Sequence, residues 1–218
     1  MQRQTQITKD NLINCKKCSR LVDFLQDLKT KYPEYHNRPV APFGDPKPNL
    51  LIVGLAPGMH GANATGRPFT GDYAGILLYK TLYDFGFTNM AESRSIDDGL
   101  VLKGVRITNA VKCLPPKNQP QAIEINSCNL FLSKEIMALK PKAIILALGL
   151  VAHKAIIKAL GLKQKDFKFA HKAVYQLPNA KTLIDSYHCS RYNTQTRRLT
   201  PKSFREVFLE IEKTLRAK

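Results

Sequence analysis

The sequence predicts an α/β fold, a single domain with a central parallel four-stranded sheet flanked by helices. Two observations predict it. Short apolar or alternating runs, "NLLIVGL", "VRITNAVKC", "KAIILALG" and "TLIDSYH", read as buried strands. Helical patterns stand between them, and a strand–helix alternation favours parallel strands covered on both faces. No repeat, low-complexity tract or linker divides the 218 residues, so one domain is expected over 1–218.

Each element has a local reason. In "CSRLVDFLQDLKTK" the residues Leu21, Val22, Phe24, Leu25 and Leu28 share one helical face. Residues 32–48, "YPEYHNRPVAPFGDPKP", carry five prolines and read as an extended arm with no regular element. "YAGILLYKTLYDFGF" is expected to be a helix with Ile76, Leu77, Leu82 and Phe85 facing inward. "PQAIEINSCNLFLSKEIMALK" is helical and stops before Pro141, and "LVAHKAIIKALG" is a helix closed by Gly161. "PKSFREVFLEIEKTLRAK" is a terminal helix with proline at its start.

Charge narrows the partner. There are 34 Lys+Arg against 17 Asp+Glu, a net of +17, which points to a polyanion. No stretch has the pattern of a basic amphipathic anchor, so nucleic acid is favoured over a membrane surface. No run approaches the roughly 20 residues of a membrane span, and the first fifteen residues lack the apolar core of a secretory signal. A cytoplasmic protein with no membrane partner is expected.

Ligands of such sheets bind outside the carboxyl ends of the strands. Three segments lie there. The opening loop "GLAPGMHGANATGRPFTGD" offers backbone N–H groups from Gly54, Leu55 and Ala56, the ring of Phe69 and the carboxylate of Asp72. "TNAVKCLPP" offers Asn109, whose amide both donates and accepts. "SYHCSRYNTQTRRLT" offers His188, then Ser190, Arg191, Asn193, Thr194 and Gln195, suited to phosphates and bases. An amide, an imidazole, an aromatic face and a carboxylate can together hold a planar heterocycle. Asp72 also precedes a helix and is equally placed to cap it. No GK[ST] follows the glycines, which argues against a P-loop.

Of the five cysteines, Cys15 and Cys18 form a C-x2-C pair, and Cys113 and Cys128 lie far along the chain. Four thiolates can hold zinc or an iron–sulfur cluster. The spacing lacks the two close pairs of a zinc ribbon. Cys189 lies in the segment after His188 and is not expected among the ligands.

"GLAPGMHGANATGRPFTGD", "TNAVKCLPP" and "HCSRYNTQT" resemble the motifs of the uracil-DNA glycosylase superfamily, most of all its family 5, or B-type, over Cys15 to about Pro201. The resemblance implies a uracil-DNA glycosylase-like α/β/α fold. It implies a DNA repair enzyme, acting as a monomer, that flips uracil or another deaminated base such as hypoxanthine out of double-stranded DNA and hydrolyses its glycosidic bond. Phe69 would stack on the base, Asn109 would read its edge, His188 would stabilise charge on the leaving base, and Asp72 would orient or deprotonate water. Gly54, Leu55 and Ala56 would line the site. Residues 190–198, among them Ser190, Arg191, Asn193, Thr194 and Gln195, would hold phosphates and wedge the gap. Cys15, Cys18, Cys113 and Cys128 would ligate a [4Fe–4S] cluster, with zinc as the alternative. Gly58 and Cys189 stand where the family's motifs commonly place Ala and Pro, and Leu55 replaces a polar residue. Leu55 bears on the role of Asp72 as base, and Gly58 and Cys189 give some weight to the alternative expectation, a non-catalytic iron–sulfur module that binds nucleic acid on the same fold.

Overall fold

Residues 50–54, 144–148 and 182–186 are buried throughout, and 105–109 nearly so. Runs without a polar face can only be covered on both sides. The computed structural model, which describes residues 9–217, builds on them in this order: α1 (Lys9–Ile13), α2 (Ser19–Lys31), β1 (Phe43–Gly44), β2 (Leu50–Gly54), α3 (Ala62–Thr65), α4 (Tyr73–Asp84), β3 (Val105–Asn109), α5 (Ala122–Met137), β4 (Ile144–Leu148), α6 (Leu150–Ala159), β5 (Val174–Gln176), β6 (Thr182–Ser186), α7 (Arg191–Gln195) and α8 (Pro201–Arg216).

The sheet order is β1-β3-β2-β4-β6-β5. The four expected strands are its parallel centre. The expectation of a four-stranded parallel sheet is nevertheless corrected to a mixed six-stranded one. β1 pairs antiparallel with β3, and β5 antiparallel with β6. Two or three residues are too few for a period to show in sequence. The Pro-rich arm therefore contains an element after all. Pro42 and Pro46 flank β1, and an edge strand tolerates neighbours that cannot donate to a ladder.

Alternation along the strands divides the core into two layers. Leu50, Ile52, Ile107, Ile144, Leu146 and Ile184 meet Leu78, Leu82, Phe204 and Phe208 of α4 and α8. Leu51, Val53, Ile145 and Ala147 meet Leu132, Ile136 and Ile156 of α5 and α6. On α4 the inward residues include Ala74, Leu78, Tyr79 and Leu82, whereas Ile76 is 64% exposed and not inward as expected. At about 100° per residue it lies some 160° around the helix from Leu78.

α1 and α2 dock beyond the end of β3, where Leu12, Leu21, Leu25 and Leu28 pack with Val111, Leu114 and Phe131. The arm that follows pairs with two post-strand segments. His36 and Asn37 N–H donate to the Ala64 and Asn63 carbonyls, and Val40 N–H donates to the Lys112 carbonyl at 2.7 Å. The arm thus runs across the carboxyl end of the sheet. No helix among the described residues is long and apolar enough to cross a membrane.

Candidate active site

β2 ends on Gly54, opposite Asn109 of β3. The pairing runs on, with Ala110 N–H on the Gly54 carbonyl and Val111 N–H on that of Leu55. A Cβ on residue 54 would stand 2.5 Å from Asn109 Oδ1 and 2.6 Å from Phe69 Cζ. Only glycine lets an amide and an aromatic ring close over the strand end. Asn109 is buried, and its Oδ1 has no hydrogen-bond partner among the described residues. Leaving such an oxygen unsatisfied costs about 1–3 kcal/mol, a cost that a ligand's donor would remove.

Phe69 is buried with φ at +56°, left-handed for a residue that is not glycine. That conformation costs about 1–2 kcal/mol. The flanking chain holds it. Tyr79 Oη donates to the Pro68 carbonyl at 2.8 Å, and Arg67 reaches the Asp98 carboxylate and the Ile96 carbonyl, each at 2.6 Å. Despite burial, Arg67 and the N–H groups of Leu100, Arg94 and Ser95 hold Asp98 down to about 2. The Phe69 ring faces the imidazole of His188, with centroids 5.8 Å apart and planes 26° from parallel.

Asp72 caps α4, its Oδ1 accepting from Gly75 N–H at 2.9 Å. Burial raises its pKa, and the N–H groups of Gly75 and Ala74 only partly offset this. Gly61 makes room for it, since a Cβ there would lie 2.5 Å from Asp72 Cβ. A Cβ on Gly58 would make only an ordinary contact, 3.6 Å from Asp72 Oδ2. The Gly58 departure is therefore sterically neutral.

His188 follows β6 and is half-buried. Desolvation pulls it down to about 4, so the imidazole is neutral near pH 7. Cys189 lies in the loop after His188 as expected, but its side chain turns inward. It is fully buried in the core with Phe69, Leu199 and Phe204, and burial and the Asp72 charge push its thiol up. A small apolar side chain fills that position where proline was expected.

The next residues divide by use. Ser190 caps α7, Asn193 Nδ2 donates to the His188 carbonyl at 2.8 Å, and Thr194 Oγ1 donates to the Arg191 carbonyl at 2.9 Å. Their side chains hold the loop. Arg191 and Gln195 are exposed, and the Arg191 guanidinium lies 5.9 Å from the Tyr73 ring centroid. Tyr192, 70% exposed, is a residue that sequence reasoning missed. An aromatic inside a polar post-strand loop was the available signal. Leu55 and Ala56 are half-buried, and Ala56 packs on the cluster that holds the cysteines.

A family model for the uracil DNA glycosylase superfamily matches residues 41–212. The chain belongs to that superfamily. Within it, the chain is 42% identical over 207 residues to a type-5 uracil-DNA glycosylase of Thermus thermophilus, covering 93% of this chain and 94% of that one. It is 42% identical over 202 residues to a type-5 uracil-DNA glycosylase of Pyrobaculum aerophilum, covering 91% and 88%. A type-5 enzyme of Mycobacterium leprae is 38% identical over 208 residues. The solved structure of Pedobacter heparinus SMUG2 superposes with a TM-score of 0.51 at 14% identity, over 93% of this chain and 86% of that one, which establishes a shared fold.

In this uracil DNA glycosylase superfamily member, Cys15, Cys18, Cys113 and Cys128 line one cavity with Leu12, Val111 and Phe131. Lys112 N–H donates to Cys128 Sγ at 3.3 Å. Burial, and then the other cysteines, push Cys113 up, and burial holds Cys128 at about 11. Thiols that resist ionisation beside one another suit a centre that supplies positive charge, because coordination takes the proton's place. Among the described residues no three His, Cys, Asp or Glu side chains close tightly enough to hold a single metal ion.

Gly54→Ala is expected to cost about 1–3 kcal/mol through overpacking against Asn109 and Phe69. Gly58→Ala should leave the melting temperature close to wild type. Thermal melts of the two variants check this, and equal losses would contradict the close approach at residue 54.

Proposed function

We propose that the protein hydrolyses the N-glycosidic bond of uracil in DNA and leaves an abasic site. One observation carries the reading: the unpartnered Asn109 Oδ1 beside the Phe69 ring, in a superfamily of uracil glycosylases. A base inside a duplex is out of reach, so the nucleotide must leave the stack. Uracil then offers N3–H and O4 side by side. The Asn109 amide accepts from the first through Oδ1 and donates to the second through Nδ2. Cytosine in the same pose sets donor against donor and acceptor against acceptor. Hypoxanthine presents the same pair, N1–H and O6, so deaminated purines belong to the proposed range.

Bond cleavage leaves negative charge on the base and positive charge on the sugar. A neutral His188 still carries one ring N–H, which donates a hydrogen bond to a base carbonyl and steadies the charge that grows there. Asp72 orients a water, or takes its proton, for attack at C1′. Burial works in its favour, because a raised pKa makes a carboxylate a better base. All of these groups come from one chain, in keeping with a monomer. The excess of basic charge supports duplex DNA as the substrate.

The cavity cysteines support a [4Fe–4S] cluster, with zinc the alternative. Thiolate donors suit both, and the four cysteines line one cavity. When bound, the group would add no electron-transfer step to a hydrolysis and would serve as a tie. Cys15 and Cys18 precede α2, Cys128 lies on α5, and Cys113 follows the strand that carries Asn109.

Asp72→Asn separates catalysis from capping, since Asn caps a helix as well as Asp does. Single-turnover excision from a uracil-containing duplex, read by alkaline cleavage of abasic sites, should fall about 10²–10⁴-fold with little change in melting temperature. The wild-type rate should fall with decreasing pH at values above the usual carboxylate pKa of about 3.9, and the variant should lack that limb. A near wild-type rate in the variant would reduce Asp72 to a cap.

Anaerobically purified protein should carry about four iron and four sulfide per chain. Cys18→Ala should lose them and melt lower, while Cys189→Ala should keep them. Stoichiometric zinc without sulfide would exclude the cluster, and loss of iron in Cys189→Ala would show a different ligand set.

A further inference from the structure

Next to the cysteine cavity lies a solvent-open cleft of about 200 Å³. Lys16, Lys29 and Arg38 line it, together with the amide side chains of Asn14 and Gln26. All five are exposed, and no carboxylate lines the cleft among the described residues. Lys16, Lys29 and Arg38 form no ion pair among the described residues. Cations elsewhere do pair, as in Arg20–Glu124, Lys172–Glu206 and Arg216–Glu212.

The wall of this cleft reaches the candidate active site by backbone hydrogen bonds. Arg38 stands between Asn37, whose N–H donates to Asn63 in the opening loop, and Val40, whose N–H donates to Lys112 just beyond Asn109. Asn37 and Asn63 are also joined side chain to side chain, at 2.9 Å. Arg38 therefore sits on the segment that braces both loops of the site, and Lys16 and Lys29 face it across the cleft from the turn before α2 and from α2 itself.

We propose that this cleft is a second DNA-binding site, which grips the sugar–phosphate backbone of the duplex flanking the extruded nucleotide. This rests on the reading that the protein acts on DNA. The chemistry of the lining selects backbone over bases. Three cations and two amides are phosphate donors. Among the described residues no aromatic ring lines the cleft, so bases find no stacking platform there. Val22 and Leu25 give it an apolar floor compatible with deoxyribose. Contacts of this kind add affinity without sequence preference, and each neutralised phosphate adds about 0.9 to the salt slope.

The test is fluorescence anisotropy with an undamaged 30-base-pair duplex, titrated over salt. The triple variant K16Q/K29Q/R38Q is compared with K163Q/K165Q/K168Q. The control removes the same charge from exposed positions between α6 and β5, at the opposite edge of the sheet. The cleft variant should shallow the log Kd against log salt slope by about 2–3 units, and the control by well under one. Should the triple variant fold poorly, each single variant should shallow the slope by about one unit. Excision of uracil at saturating protein should stay at the wild-type rate in the cleft variant, because Asp72, Asn109 and His188 are untouched. Equal slopes for cleft and control variants would overturn the proposal. So would unchanged duplex binding accompanied by lost binding to phosphatidylserine vesicles, which would make the cleft a lipid-headgroup site. A wild-type protein that excises nothing yet still shows the slope difference would overturn the glycosylase reading and leave the cleft's role in DNA binding supported.

Discussion

No side chain fits at residue 54, and much of the carboxyl face of the sheet is arranged around that fact. With no Cβ there, the amide of Asn109 and the ring of Phe69 close on the same point from two different loops. The parallel register that sets Gly54 against Asn109 fixes one partner. The other is fixed at a cost, with Phe69 held left-handed between a Tyr79–Pro68 hydrogen bond and the buried Arg67–Asp98 ion pair. Such strain persists only where the surroundings over-determine it, and it collects at functional sites. An unsatisfied amide oxygen and a strained aromatic, side by side, are two local costs that a bound planar base would offset.

Electrostatics divides the molecule by depth. The chain carries a net charge of +17, yet the groups at the site centre are a neutral imidazole and a carboxylate whose burial raises its pKa. Basic groups lie at the rim instead, at Arg191 beside the site and at Lys16, Lys29 and Arg38 in the neighbouring cleft. This separation suits a polyanion whose backbone must be held while one base is handled where water is scarce. Long-range attraction belongs at the surface, where salt tunes it. Discrimination belongs where each unpaired donor or acceptor is costly.

The four central strands were legible because their residues are buried on both sides and leave unbroken apolar runs. β1 and β5 were not, since two or three residues carry no period. Ile76 was assigned to the wrong face because the sequence shows a helix before it shows which side meets the sheet. The strand-end rule located Gly54, Phe69, Asp72, Asn109 and His188, and the structure gathers them at one end of the sheet. Around His188 the sequence was less informative. Ser190, Asn193 and Thr194 hold their own loop, Cys189 turns into the core, and Tyr192 projects outward, distinctions made by local hydrogen bonds that composition does not reveal. The arm's role was hidden too, because its pairing with residues 63, 64 and 112 joins segments far apart in sequence.

The central claim is that Asn109 and Phe69 receive an extruded uracil. A crystal structure with a duplex containing 2′-fluoro-2′-deoxyuridine, whose glycosidic bond resists cleavage, tests it most directly. The account predicts the uracil ring against Phe69, its N3–H on Asn109 Oδ1 and its O4 on Nδ2, with His188 at a base carbonyl. A uracil still stacked in the duplex, or one bound elsewhere while Asn109 Oδ1 remains without a partner, would contradict it.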